Sequence, residues 1–283
     1  SPARSNSRPD LSISNLKAMA KMTVIPLSGH LGASVEGLSL SALSDSEFAA
    51  VKQAFLDHCV LVFPQQFLGI EDHLQFAARW GEFSTSPFVK YHPEHPAVLQ
   101  LSNRGKANAV TENWHFDSSF LPAPPSLTIL SARKIPVGGD TMWSNQYHAY
   151  DTLSEGMKAL LGGVRGEFAG TRLAKRVGED SDIPCSFHPI FRTHPDTDRK
   201  ALFVGHPGDT LRCLEGMTQE ESLPIIRYLY NHSTAPDRVY RHHWAEGDIV
   251  MWDNRCTMHY AVHDYGDQTR ELHRVSICGD IPR

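Results

Sequence analysis

From about Ala97 to the C-terminus the chain is a succession of short strand-like runs separated by turn residues: "AVLQLS", "SLTILSARKI", "DTMWSN", "KALFVG", "RVYRHHW", "DIVMWDN" and "LHRVSICGD". Runs this short cannot each bury an apolar face alone, so they must pair into sheets that pack on one another. Two helical patterns interrupt them, "YDTLSEGMKALLGG" and "TQEESLPIIRYLYNHS". Earlier in the chain "TVIPL" and "ASVEGL" read as strands and "CVLVFP" as a buried strand. "SDSEFAAVKQAFLDH" has the capping-box spacing Ser44 to Glu47 ahead of a helix, and "GIEDHLQFAARWG" is a second amphipathic helix closed by Gly81. A doubly wound α/β fold would alternate strands and helices regularly, and this chain does not. It also lacks a glycine-rich phosphate loop. The expectation is a mainly β protein with flanking helices, a β-sandwich or jelly roll.

With 283 residues and no internal repeat or linker, the chain reads as one domain from Thr23 to Arg283. Residues 1–22, "SPARSNSRPDLSISNLKAMAKM", lack the apolar core of a secretory signal and read as a disordered or added lead-in, with a transit peptide left open. The net charge of −5 gives no reason to expect nucleic acid or an anionic membrane as partner. No apolar run approaches the roughly 18 residues of a membrane span. Five scattered cysteines without a CxxC spacing argue for reduced thiols in a cytoplasmic setting. The oligomeric state stays open, a homo-oligomer included.

Within "NWHFDSSF", a strand period of two would put His115 and Asp117 on one face, with Trp114 and Phe116 opposite. A nitrogen and an oxygen donor on one face can chelate a metal. Alone, however, the pair is better explained as a buried histidine bonded to its neighbour. "HPD", His194 to Asp196, belongs to a solvated hairpin turn. His242 and His243 point to opposite faces, so only one could reach a given site. His259 follows the buried-looking strand "DIVMWDN" and serves equally as a ligand or a core histidine. "TRELHR" puts Arg270, Leu272 and Arg274 on one strand face. Buried guanidinium groups need anions, although solvent or Asp264 and Asp267 could satisfy them. The two arginines lie about 13 Å apart at the usual strand rise, which suits two anions rather than one. Thr141, after the Gly138–Gly139 turn, is by itself a polar hairpin residue.

Taken in order, "NWHFDSSF", "GGDTMWSN", "WDNRCTMHYAVHDY" and "RELHRVSICGDIP" resemble the taurine dioxygenase/2,4-dichlorophenoxyacetate dioxygenase family, and the resemblance runs from about Thr23 to the C-terminus. It implies a double-stranded β-helix, a jelly-roll form. It also implies His115, Asp117 and His259 as the two-histidine, one-carboxylate ligands of Fe(II), a set that leaves positions open for 2-oxoglutarate and O2. By the same resemblance Arg270 grips the far carboxylate of 2-oxoglutarate with help from Thr141. Arg274 then binds the anionic head of a small organic substrate, and the products include succinate and CO2.

The chain departs from the taurine-acting members at "SPFV", Ser86 to Val89, and at Thr111. With Phe88, Val89 and Phe116, these positions imply a more apolar pocket and a sulfonate, alkyl sulfate or aryloxyalkanoate rather than taurine. The stretch from Gly162 to His188 reads as an irregular loop, a lid or a surface excursion. Two rivals remain: a zinc hydrolase on the same ligands, which gives no reason for the arginine pair, and a binding protein that keeps only the scaffold. Substrate-dependent succinate release and oxygen uptake separate them.

Overall fold

The protein is described by a computed structural model covering residues 22–86, 89–104, 113–171 and 184–283. Its largest sheet has seven strands in the order β1-β2-β3-β13-β5-β15-β4, that is Thr23–Pro26, Ala33–Glu36, Val60–Phe63, Ile249–Asp253, Leu127–Lys134, Thr269–Ile277 and Leu99–Arg104. Every pairing is antiparallel except β2 with β3. A smaller sheet, β12-β6-β14 (Val239–His242, Thr141–Asn145, Thr257–Ala261), faces it. Two facing sheets of mainly antiparallel strands form the jelly-roll architecture expected from the sequence.

The strand period divides the core. Leu61, Phe63, Ile129, Met251 and Val275 point outward from the large sheet and are covered by α1 (Asp45–His58) and α2 (Ile70–Ala78). Val62, Leu130, Val250, Trp252 and Leu272 point inward and pack against Trp143 of the small sheet. Thr128, Arg270, Arg274 and Ser276 share that inward parity, so β5 and β15 carry polar groups into the space between the sheets. The capping box of α1 forms as expected: the Ser44 side chain accepts from Glu47 N, and the Glu47 side chain accepts from Ser44 N.

The helical pattern expected from Tyr150 to Gly163 holds the end of one helix, α3 (Gln146–Asp151), and a second, α4 (Glu155–Leu161), because Ser154 caps a new start. α5, Gln219–Ser233, covers a third core with the sheet β11-β7-β8 (Leu211–Leu214, Arg165–Ala169, Cys185–Pro189). The segment 162–188 is therefore less irregular than expected. Its two ends are β7 and β8, paired from Arg165↔Pro189 to Ala169↔Cys185, and only its middle, 172–183, lies outside the described residues.

The hairpin of β9 (Phe191–Thr193) and β10 (Lys200–Leu202) overturns a second expectation. His194 in its turn is 1% exposed rather than solvated, because Asp253 reaches it. Asp253 Oδ2 lies 3.0 Å from His194 Nε2 and 2.7 Å from Arg255 Nη2, and Arg255 also binds Asp196 at 2.7 Å. Cys256 adjoins this cluster, and His194, Asp253 and Cys256 have the proximity of metal ligands. The Arg255 guanidinium already supplies the positive charge there, so the cluster ties the hairpin to the β13–β14 turn.

Candidate metal centre

The segment carrying His115 and Asp117 is not the strand expected from its alternation. Only His115 enters a ladder, exchanging two backbone hydrogen bonds with His259 of β14, at 3.1 Å (His115 N to His259 O) and 2.9 Å (the reverse). The chain then turns sharply, with Ser118 at φ 45°. A single bridge is enough to set the rings side by side, their centroids 4.1 Å apart. Asp117 reaches them from the turn, its Oδ1 3.6 Å from His259 Nε2. One donor atom from each of His115, Asp117 and His259 lies within 4.8 Å of the other two. The three residues named from the sequence do come together, although through a bridge and a turn.

The chemistry of the set fits a divalent metal. Nδ1–H of His115 donates to the carbonyl of Asn113 at 2.8 Å, which fixes the tautomer with the lone pair on Nε2. Burial, then the neighbouring His115, holds His259 well below the usual imidazole range, so its ring is neutral. Burial pushes the Asp117 carboxyl up, but Arg274, then His259 and His115, with the Thr128 hydroxyl, outweigh it and hold the group well below the usual carboxylate range. Two imidazoles and one carboxylate are the ligand set suited to Fe(II).

Arg270, 5% exposed, forms no ion pair among the described residues. Its Nε donates to Gly139 O at 2.9 Å and its Nη2 to Thr141 Oγ1 at 3.4 Å. Burial pulls its pKa down, the expected response of a cation lacking a counter-charge. Thr141 also accepts from Trp244 Nε1 at 3.0 Å, which leaves its own O–H proton available to a ligand. A buried guanidinium beside a hydroxyl donor is a seat for a carboxylate. Gly139, at φ 73°, is required beside it, because a Cβ there would stand 2.9 Å from Arg270 Cδ.

Arg274 is engaged differently. Nη2 lies 2.8 Å from Asp117 Oδ2, and Nε donates to Ser276 Oγ at 3.2 Å. It also lines a cavity of about 200 Å³ with His115, Asp117, Val89, Leu99, Leu101 and Phe120, and it is the only Arg or Lys among the described lining residues. Phe116 touches the same cavity but is 3% exposed and packs mainly on Phe203, their centroids 4.4 Å apart, so it is as much core as wall. Phe88 and Thr111 lie outside the described residues.

Sequence reasoning missed a chain of polar groups beneath Asp117. Thr128 Oγ1 donates to Asp117 Oδ2 at 3.0 Å, Asn254 Nδ2 donates to Thr128 at 2.9 Å, and Trp252 Nε1 donates to Asn254 Oδ1 at 2.8 Å. Asn254 was legible only as part of the "WDNR" stretch before His259.

Residues 23–276 match the family model described as taurine catabolism dioxygenase TauD, TfdA family. The chain is 34% identical over 273 residues to an alkylsulfatase of Acinetobacter baylyi, covering 90% of this chain and 84% of the relative. It is 31% identical over 275 residues to an (S)-phenoxypropionate/alpha-ketoglutarate-dioxygenase of Sphingobium herbicidovorans, covering 91% and 95%. Among solved structures, a taurine dioxygenase from Burkholderia xenovorans superimposes with a TM-score of 0.81 at 34% identity, covering 92% of each chain. The jelly roll, the His-Asp-His cluster and these matches converge: the chain belongs to the TauD/TfdA family of Fe(II)- and 2-oxoglutarate-dependent dioxygenases.

Proposed function

We propose that this enzyme oxidises a small organic substrate carrying one anionic head, a sulfate ester, sulfonate or aryloxyalkanoate, at a carbon close to that head. The observation that carries the reading is Arg274, the single Arg or Lys among the described residues lining a largely apolar cavity that opens on His115 and Asp117. His115, Asp117 and His259 hold the iron. With 2-oxoglutarate and O2, the iron supplies the oxidising power, and succinate and CO2 are released. Arg270 and Thr141 anchor the far carboxylate of 2-oxoglutarate. Arg274 fixes the substrate's charge while Val89, Leu99, Leu101 and Phe120 exclude water from its apolar body.

The relatives named for alkyl sulfates, phenoxypropionate and taurine support the anionic head and leave the body of the substrate to the cavity wall. The departure from the taurine-acting members at "SPFV", Ser86 to Val89, supports a substrate with a larger apolar body. No described helix is long and apolar enough to cross a membrane, and all five cysteines are free, which supports a cytoplasmic enzyme. The test is a panel of alkyl sulfates, sulfonates and aryloxy acids assayed for substrate-dependent succinate release and oxygen uptake. At least one anionic class should stimulate both. Stimulation by neutral analogues alone would overturn the reading.

A further inference from the structure

The polar groups beneath Asp117 have only one consistent arrangement of protons. The indole of Trp252 can only donate, so Asn254 must turn its carbonyl oxygen to it and its amide nitrogen to Thr128. Oδ2 of Asp117, which also faces Arg274 Nη2 at 2.8 Å, accepts the single proton of Thr128. Ser276 accepts from Arg274 Nε, and its own proton must go to Thr128, 3.1 Å away. The bonds therefore all run one way, through Thr128 to Oδ2 of Asp117. Oδ2 also takes Arg274 Nη2, while Oδ1 is left facing His259. Trp252 contributes twice, because its ring also packs on His259 with centroids 4.7 Å apart.

We infer that Trp252, Asn254 and Thr128 form a one-way hydrogen-bond relay that locks Oδ2 of Asp117 and presents Oδ1 to the metal. Thr128 is the positioning residue at its head. The inference rests on the assignment of His115, Asp117 and His259 as metal ligands. Arg274 alone could not serve, because it also faces the cavity and is shared with the substrate's anion. Thr128 is 0% exposed and holds Oδ2 whatever the substrate does.

The test is Co(II) binding by calorimetry to the metal-free full chain, with the Tm recorded with and without Co(II). Thr128→Val should weaken Co(II) binding by about tenfold or more, the usual effect of losing an outer partner, and Thr128→Ser should restore it to within about threefold. Asn254→Asp is nearly isosteric but replaces a donor with an acceptor. The Thr128 proton then turns towards the new carboxylate, and metal affinity falls although the shape is kept. Trp252→Phe keeps a ring against His259 and should weaken binding less, and it should add nothing once Thr128→Val is present. The Asn254→Asp result stands even where Thr128→Val does not fold. Wild-type-like Co(II) affinity in Asn254→Asp and Trp252→Phe, whatever their Tm, overturns the relay and leaves the ligand assignment intact. Failure of the wild-type chain to bind Co(II) sinks the ligand assignment itself.

Discussion

Nη2 of Arg274 stands 2.8 Å from Oδ2 of Asp117, so one guanidinium touches both the metal-site carboxylate and the cavity. On the proposed reading, the side chain that holds the Asp117 carboxylate also holds the substrate's anionic head. Arg274→Ala should lower kcat/KM for an anionic substrate by about 10²-fold, because a reacting carbon that is no longer aimed costs rate as well as affinity. Arg274→Lys should recover only part of the loss, since a point charge replaces a planar fork. Steady-state kinetics on the best substrate of the panel check this. Wild-type kinetics in Arg274→Ala would place the substrate's head elsewhere.

Asp117 supplies the only carboxylate of the metal cluster. Asp117→Ala should weaken Co(II) or Fe(II) binding by more than the roughly 10–100-fold of losing an outer partner and should abolish turnover. It also leaves Arg274 without its counter-charge. Metal titration of the purified variant is decisive: retained stoichiometric binding at wild-type affinity would refute the ligand set.

The Arg270 seat can be tested without removing a charge. Gly139→Ala introduces a methyl 2.9 Å from Arg270 Cδ at a backbone φ of 73° that favours glycine. It should raise the 2-oxoglutarate requirement, as Arg270→Ala should by at least about tenfold from the loss of a charged hydrogen bond. Thr141→Val, losing a neutral donor, should do less. The apparent KM for 2-oxoglutarate in each variant, measured at saturating substrate, ranks the three.

Burial, then Arg133 and His273, pushes the pKa of His73 down to about 3. Above about pH 6.5 this ring is neutral folded or unfolded, so the folded state carries no penalty from it. As pH falls below that value the unfolded chain takes up a proton that the folded chain refuses. Stability then drops by up to about 1.4 kcal/mol per pH unit until the folded pKa is reached. His73→Leu, on the buried face of α2, should flatten the stability profile between about pH 6.5 and 5. Urea denaturation of both proteins across that window gives the slopes, and equal slopes would show that His73 is charged or exposed when folded.

Much of the site was legible because its donors are chemically conspicuous: His115, Asp117, His259, Arg270 and Arg274 are residue types that a core does not take in without reason. The shared inward face of the two arginines followed from the strand period alone, and β15 keeps it. The strand expected at His115 does not form, because one bridge to His259 suffices and the turn at Ser118 follows at once. Alternation over three residues cannot distinguish those cases. Thr128 was not legible as part of the site, since its partners lie 11, 126 and 148 residues away and only the pairing of β5 with β13 and β15 brings them together. His194 was misplaced for a similar reason: the residues that bury it, Asp253 and the neighbouring Arg255, are distant in sequence.

The order of the large sheet has a consequence for how such an enzyme can change. Strands β13, β5 and β15, which hold Trp252, Thr128 and both arginines, each have a neighbour on either side. The cavity wall at Leu99 and Leu101 sits on β4, at the margin of the described sheet, and continues into Ser84, Thr85, Ser86, Val89 and Tyr91. A substitution at that margin disturbs one strand interface instead of two. New substrate shapes can therefore be explored there by small steps while the oxidative machinery stays under separate structural control, a division of labour that lets one scaffold diversify its diet without relearning its chemistry.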